Sequence, residues 1–222
     1  MSKATLTSSP DQEPLQAPKP SFWRNMMNKY IRPAVVLTLL LTILTGFIYP
    51  GVVTVLAQLI FPYQANGSLH YVNGKPVGSD VIGQYWTLPK YFHGRPSATV
   101  NLNGTPSPYE ADNSSASNLG PTNSALIQSV QQRVTALKKE NPNAPPGPVP
   151  VDLVTTSGSG LDPDISVAAA LYQVPRVAQA RGLSNSTVQQ LVMKNVTGRF
   201  LGIFGEPYVN VLQLNLALDA LK

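Results

Sequence analysis

"AVVLTLLLTILTGFIYPGVVTVLAQLIF", Ala34 to Phe61, is an uninterrupted run of 28 residues without a charged side chain, and its reading decides how the rest of the chain is understood. About 20 apolar residues suffice to cross the hydrocarbon core of a bilayer, so the run predicts a transmembrane helix. A secretory leader would have a shorter apolar region, about 7 to 15 residues, closed by small residues at a cleavage site. Here the run ends in "LIFPYQ", which reads as an uncleaved anchor. Lys29 and Arg32 border its N-terminal side, and no Lys or Arg follows until Lys75. The positive-inside bias then predicts a cytoplasmic N-terminus and an extracytoplasmic C-terminal part.

Working outward, residues 1–21 are polar and proline-rich, with too few large apolar groups to offset ordering entropy, and read as a disordered cytoplasmic tail. Residues 22–33 form a juxtamembrane segment in which Phe22, Trp23 and Tyr30 are interfacial anchors beside cations. Residues 34–61 are the transmembrane helix. Residues 62–222 are expected to form a single small extracytoplasmic α+β domain. Within the span, Thr38, Thr42, Gly46 and Pro50 recur every four residues along one side of a helix. They form either a small-residue seam for a partner helix or threonines bonded to their own carbonyls before a proline kink.

Composition agrees with a membrane setting. Hydrophobic residues make up 43% and charged residues only 12%, about half the usual charged share. The formal charge is +5, but Lys3, Lys19, Arg24, Lys29 and Arg32 against Asp11 and Glu13 place most of the excess before the span. No basic stripe interleaved with aromatics remains, so nucleic acid is not an expected partner. With no cysteine, disulfides, thiolate metal sites and cysteine nucleophiles are excluded. One helix without an ionisable group cannot build an ion pathway; if ions cross, other chains supply the pore.

In the C-terminal part, Asn73-Gly74 is a favoured hairpin turn between Ser68–Val72 and Pro76–Val81. A long stretch rich in Gly, Pro, Asn and Ser follows, of the kind that is disordered or ordered by binding. Leu126, Ile127, Val130, Val134 and Leu137 have helical spacing. Val151 to Thr155 reads as a short strand, "DISVAAALYQVPRVAQARG" as a helix interrupted at Pro175 and closed by Gly182, and "LSNSTVQQLVMKNVTG" as another helix. The alternating "VNVLQLNL" reads as a strand leading into a short terminal helix.

Candidate chemistry is sparse. The histidines are His70 and His93, and neither adjoins a serine motif. His93, Arg95 and Ser97 in "KYFHGRPSA" could together hold an anion or a partner's carboxylate, and His93 is the one base an extracytoplasmic enzyme could use. Ser157, Gly158, Ser159 and Gly160 could turn amides around a phosphate, giving a nucleotide contact. Asp162 and Asp164 follow directly, however, and would occupy the same helix start and repel a phosphate. The favoured reading is a strand-to-helix junction with an acidic cap. No metal site is expected, because Asp162 and Asp164 lack further oxygen ligands nearby. Five N-x-[ST] matches, at Asn66, Asn103, Asn113, Asn185 and Asn195, are expected from composition alone.

Taken together, "GSDVIGQ", "YFHGRPSA", "SNLGPTNSAL", "PVPVDLVTTSGSGLDPDISVAAALYQVPRVAQARGLS" and "VNVLQLNLALD" closely resemble the C subunit of the bacterial Kdp-type potassium-transporting P-type ATPase, from about Arg32 to Leu218. The resemblance implies a non-catalytic subunit of a high-affinity, ATP-driven potassium uptake complex in the bacterial inner membrane. Its implied partners are a channel-like ion-carrying A subunit, an ATP-hydrolysing B subunit and a small F subunit, besides membrane lipid. It further implies help in assembly and a catalytic-chaperone role that raises the B subunit's affinity for ATP. No cofactor is expected to be held firmly by this chain, with ATP entering only alongside the B subunit. The charge pattern favours support of ion entry at the outer mouth, because it places the domain opposite the cytoplasmic nucleotide.

Overall fold

The computed structural model describes residues 21–221, so all but Ser21 of the expected tail lies outside the described residues. The chain divides into two compact units, one ending at Ile60 and one beginning at Phe61. The first is a continuous helix, α1, Phe22–Ile60. Its 39 residues correspond to a length of roughly 58 Å, well beyond the ~30 Å apolar core of a bilayer.

Two turns of α1 are wide. Arg32 N–H bonds the Met27 carbonyl, and Tyr49 N–H bonds the Leu44 carbonyl, each skipping five residues instead of four. Each wide turn stops just short of a proline, Pro33 and Pro50. A proline within an α-helix lacks its N–H and collides with the carbonyl four residues back, and a π turn at that place opens the ladder. The second wide turn also straightens the seam. In a regular α-helix, Thr38 to Pro50 would drift by about 120°, and the π turn, acting as one inserted residue, removes about 100° of that. Thr45, off the seam, donates to the Leu41 carbonyl at 2.7 Å.

The second unit is α+β. After one helical turn at Pro62–Ala65, strands β1 (Leu69–Val72) and β2 (Lys75–Ser79) form an antiparallel hairpin. Asn73 and Gly74 both have positive φ, 51° and 75°, as a type I′ turn requires. Helix α2 (Ser124–Glu140) is capped by Asn123, which accepts from Ala125 N–H at 2.9 Å. Strand β3 (Asp164–Ser166) leads into α3 (Val167–Arg181), followed by α4 (Asn185–Lys194), β4 (Val196–Thr197), β5 (Tyr208–Asn210) and α5 (Val211–Ala220). The second sheet has the order β3-β5-β4, antiparallel throughout. Ile165, Val177, Val188, Val192, Val209 and Leu214, each at most 2% exposed, form the centre of the core where α3, α4 and α5 meet this sheet.

Four local expectations are corrected. Val151–Leu153 is a 3₁₀ turn, not a strand. Helix α3 runs through Pro175 without a break, because Gln173, Val174, Arg176 and Val177 around it are all buried and bonded or packed. Only Tyr208–Asn210 of the final alternating stretch is strand; Asn210 then caps α5 by accepting from Gln213 N–H at 3.1 Å. The cap of α3 is not acidic: Ser166 Oγ accepts from Ala169 N–H at 3.0 Å, while Ser166 itself donates to Asp152 from the 3₁₀ turn. Asp164 lies in β3, and Asp162 accepts from Asp164 N–H and from Arg95.

The long Gly, Pro, Asn and Ser stretch is ordered by its own hydroxyls and amides. Ser97 Oγ accepts from the amides of Thr99 and Tyr109, Thr99 Oγ1 donates to the Ser107 carbonyl, and Asn113 donates to the Val100 carbonyl. Side chains here do the pairing that a strand ladder would otherwise do.

Candidate functional site

Residues 86–97 carry "WTLPKYFHGRPS", which has almost no regular secondary structure and yet contains Phe92, 0% exposed. Buried backbone needs partners. Asn215 of α5 supplies them at Phe92: its Oδ1 accepts from Phe92 N–H and its Nδ2 donates to the Phe92 carbonyl, both at 2.9 Å. Gln173 of α3 does the same for His93, at 2.8 and 3.1 Å. Two helix-borne amides thus act as a surrogate neighbouring strand.

Arg176 completes this frame. Its Nη1 donates to the carbonyls of Pro89 and Tyr91, its Nη2 to Gln173 Oε1 at 2.7 Å, and its Nε to Asn141 Oδ1 at 3.0 Å, with Glu140 at 3.4 Å. Burial pushes this guanidinium down from its ordinary value, opposed by Glu140, but it stays the cation that closes the end of α2 onto α3.

His93 therefore has little freedom. Its Nδ1 lies 3.2 Å from Glu140 Oε1, and its Nε2 faces the Leu88 carbonyl at 3.2 Å and Arg176 Nη1 at 3.5 Å. Burial, and then the charge of Arg176, hold its pKa below the usual histidine range against the opposing pull of Glu140 and Leu88. A neutral ring with the proton on Nδ1 donates to Glu140 and accepts from Arg176 at Nε2, and the Leu88 carbonyl beside Nε2 then receives no hydrogen bond from this ring.

Beyond His93 the chain passes closely by Tyr109 at Gly94, where an added Cβ would stand 2.5 Å from the Tyr109 hydroxyl. That hydroxyl donates to the Arg95 carbonyl at 2.7 Å, and burial raises its pKa. Arg95 pairs with Asp162 at 2.9 Å and donates to the Thr156 carbonyl at 3.3 Å. His93, Arg95 and Ser97 line a cleft of about 480 Å³ together with Arg133 and Glu140 of α2, Trp86 and Tyr109. Among the described residues, Trp86 Nε1 and Arg95 Nε are buried without a protein acceptor, and both residues line this cleft.

The Ser-Gly loop lies against the same segment. Ser157 N–H donates to the Pro96 carbonyl, Ser157 Oγ accepts from Gly160 N–H at 2.9 Å, and Ser159 Oγ accepts from Leu161 N–H at 3.1 Å. Ser115 N–H bonds the Ser159 carbonyl. At Gly160, φ is +70°, and a Cβ would fall 2.5 Å from Thr99 Cγ2 and 2.7 Å from the Ser115 carbonyl oxygen. The second glycine is needed because two backbones pass each other there. The structure thus brings the His93-Arg95-Ser97 trio and Ser157–Gly160 together as one packed unit. Thr38, Thr42, Gly46 and Pro50 belong to α1, the other unit.

Sequence reasoning missed Gln173, Arg176 and Asn215, which hold this region. Their signal was available: each is a polar residue at helical spacing among Ala169, Val177, Leu214 and Leu218, on an otherwise apolar face.

Residues 31–220 match the family described as "K+-transporting ATPase, c chain". The chain is 59% identical over 202 residues to the potassium-transporting ATPase KdpC subunit of Rhodopseudomonas palustris (strain BisB18), covering 88% of this chain and 100% of that one. It is 55% identical over 196 residues to the subunit of the same name from Sorangium cellulosum (strain So ce56), again 88% of this chain and 100% of the relative. The subunit from Bradyrhizobium diazoefficiens is 56% identical over 199 residues, covering 87% and 98%. With the match running from the anchor helix through the last turns of α5, the chain belongs to the KdpC family, the C subunits of potassium-transporting ATPases.

Proposed function

We propose that the chain is a non-catalytic subunit of an ATP-driven potassium uptake complex, whose C-terminal unit lies outside the membrane and docks on the ion-carrying subunit where ions enter. The observation that carries the reading is the family match from residue 31 to residue 220, which includes anchor and domain together. The cation pair Lys29 and Arg32, followed by no Lys or Arg before Lys75, supports the orientation. The seam of Thr38, Thr42, Gly46 and Pro50, straightened by the wide turn before Pro50, supports contact with a helix of a partner subunit.

The cleft supports docking over catalysis. Both nitrogens of His93 are engaged within the protein, and the cleft beside it, lined by Trp86, Tyr109 and Leu137, offers apolar surface to a partner segment. An extracytoplasmic enzyme with His93 as base would need that ring released from Glu140 and Arg176. We assign the effect on ATP affinity expected for the family to transmission through the B subunit, since the Gly160 and Leu161 amides are taken by the loop's own serines.

The test is protease accessibility in sealed membrane vesicles carrying the full complex. The C-terminal unit is expected to be cleaved only from the outer face, and cleavage from the cytoplasmic face overturns the orientation. Gly158 is exposed and an added Cβ there meets nothing within 4 Å, so a side chain at this position starts into open space. Gly158→Trp is therefore expected to leave the pump's KM for ATP unchanged, and a rise of tenfold would return nucleotide contact to the Ser-Gly loop.

A further inference from the structure

Between β4 and β5 the chain reads "GRFLGIFGEP", Gly198 to Pro207, and it makes a protrusion with no hydrophobic interior of its own. Phe200, Leu201, Ile203 and Phe204 are 72%, 74%, 73% and 62% exposed. Four large side chains at about 200 Å² each, so exposed, amount to roughly 500 Å² of apolar surface, at the upper end of what a monomer leaves to water without a use.

The tip is nevertheless built, not frayed. Phe200 and Phe204 exchange both backbone hydrogen bonds, at 2.9 and 3.0 Å, Gly202 N–H bonds the Arg199 carbonyl, and Ile203 N–H bonds the Phe200 carbonyl. Leu201 holds φ at +53°, a conformation unfavourable for a bulky residue, and its side chain gains no burial in return. Strain and exposure both fall on the apex of a loop whose backbone is already satisfied, as a surface destined for a dry contact requires.

We infer that this tip is a docking knob for an uncharged apolar depression on another subunit of the pump. The inference rests on the reading of the chain as a pump subunit. The charge pattern selects a protein over a lipid surface. The two charged groups between Asn195 and Asn210, Arg199 and Glu206, close the base of the loop on each other at 2.7 Å. A loop that engages anionic headgroups presents unpaired Lys or Arg around its apolar residues, and this one presents none in that stretch. At roughly 500 Å² the knob is smaller than the ~800 Å² per partner of a standard interface, so it is the apolar centre of a wider contact. Tethering through α1 raises the effective concentration of that contact.

The experiment uses the complete complex, expressed with the full chain carrying a photoreactive phenylalanine analogue at Leu201. Irradiation of membranes is expected to join this position to a specific pump subunit, identified by peptide mapping. Crosslinks to lipid alone, or no crosslink in membranes where the complex is intact, overturn the inference. In parallel, Phe200→Ser with Phe204→Ser is expected to lower recovery of the other subunits with the tagged chain at least tenfold, with its melting temperature unchanged, while Phe204→Leu retains recovery. Full recovery with the double variant sinks the knob while leaving the subunit reading intact. Failure of the unaltered chain to recover the other subunits instead overturns the subunit reading itself.

Discussion

Replacing Asn215 by Leu removes the surrogate strand at Phe92 while keeping side-chain volume nearly constant, so its effect isolates two hydrogen bonds. Asn215 and Phe92 are each 0% exposed, so no water replaces the lost amide. The Phe92 N–H and carbonyl, each now bonded at 2.9 Å, would both be left unpaired. An orphaned buried group costs about 1–3 kcal/mol, so the pair sums to roughly 4 kcal/mol. That is a large share of the ~5–15 kcal/mol that holds a typical domain folded. At about 2–4 °C per kcal/mol for a domain of this size, melting should fall by roughly 8–16 °C. Calorimetry of the detergent-solubilised full chain measures it, with near-ultraviolet dichroism of Trp86 reporting the same segment. Asn215→Asp sharpens the test: a carboxylate still accepts from Phe92 N–H but faces the Phe92 carbonyl with no donor. Its loss should therefore be greater at pH 8 than at pH 4, where the acid can donate. A shift below about 3 °C for Asn215→Leu would refute the surrogate-strand account.

Two further outcomes follow from specific geometry. Burial, with Asp162 and Asp80 adding repulsion and Asn210 opposing, pushes the Asp164 carboxyl up to about 6. The folded state therefore binds this proton more tightly than the unfolded state, and the stabilisation present at acid pH is lost as pH rises between about 4 and 6. Because Asp164 is only half-buried, solvent screening reduces the effect to on the order of 1 kcal/mol. Asp164→Asn, which can still accept from Asn210, should raise the melting temperature at pH 8 by about 2–4 °C and leave it unchanged at pH 4. An equal shift at both pH values would exclude ionisation as the cause. Asp80 titrates in the opposite sense: burial works against its charge, but hydrogen bonds from Gln213, Tyr63 and His70 hold it below the usual carboxylate value. Gly160→Ala should cost about 1–3 kcal/mol through its positive φ and its collision with Thr99 and Ser115, whereas Gly158→Ala should lie within ~0.5 kcal/mol of the parent. Hydrogen exchange across residues 96–115 should rise for the first variant alone; equal exchange in both would show that the Ser-Gly loop does not hold that segment.

Features fixed by local chemistry were legible in the sequence. The apolar run forces a helix because a bilayer admits little else, Asn73-Gly74 forces a tight hairpin, and Gly182 takes φ +67° at the end of α3. The final stretch was misread because its residues serve two periods. Val209, Val211 and the neighbouring Leu residues alternate as a strand would, but Val211, Leu214, Asn215 and Leu218 also fall at helical spacing. The strand reading gave Asn215 no partner, whereas the helix turns it inward to Phe92. Gln173 and Arg176 lay in a stretch read as a helix, but the helical reading named no partner for them, and with them the order of residues 86–97 was hidden. A polar residue on an apolar face reveals that some buried backbone needs a partner, but not which backbone, because the separation in sequence is 123 residues for Asn215 and 80 for Gln173.

The candidate site shows the same division. His93, Arg95 and Ser97 could be picked out by residue type, and the structure places them in the lining of one cleft, but their partners Glu140, Arg176 and Asp162 come from three distant segments. Those partners change the chemistry the residues can do: an imidazole held between Glu140 and Arg176 is a positioned structural group before it is a base. In α1 the converse occurs. Four-residue spacing alone suggested a seam, yet on a regular helix those positions would fan through about 120°. The wide turn placed ahead of Pro50 both accommodates the proline and realigns Thr38 with it, so one backbone irregularity answers a steric demand and gathers small residues onto one face.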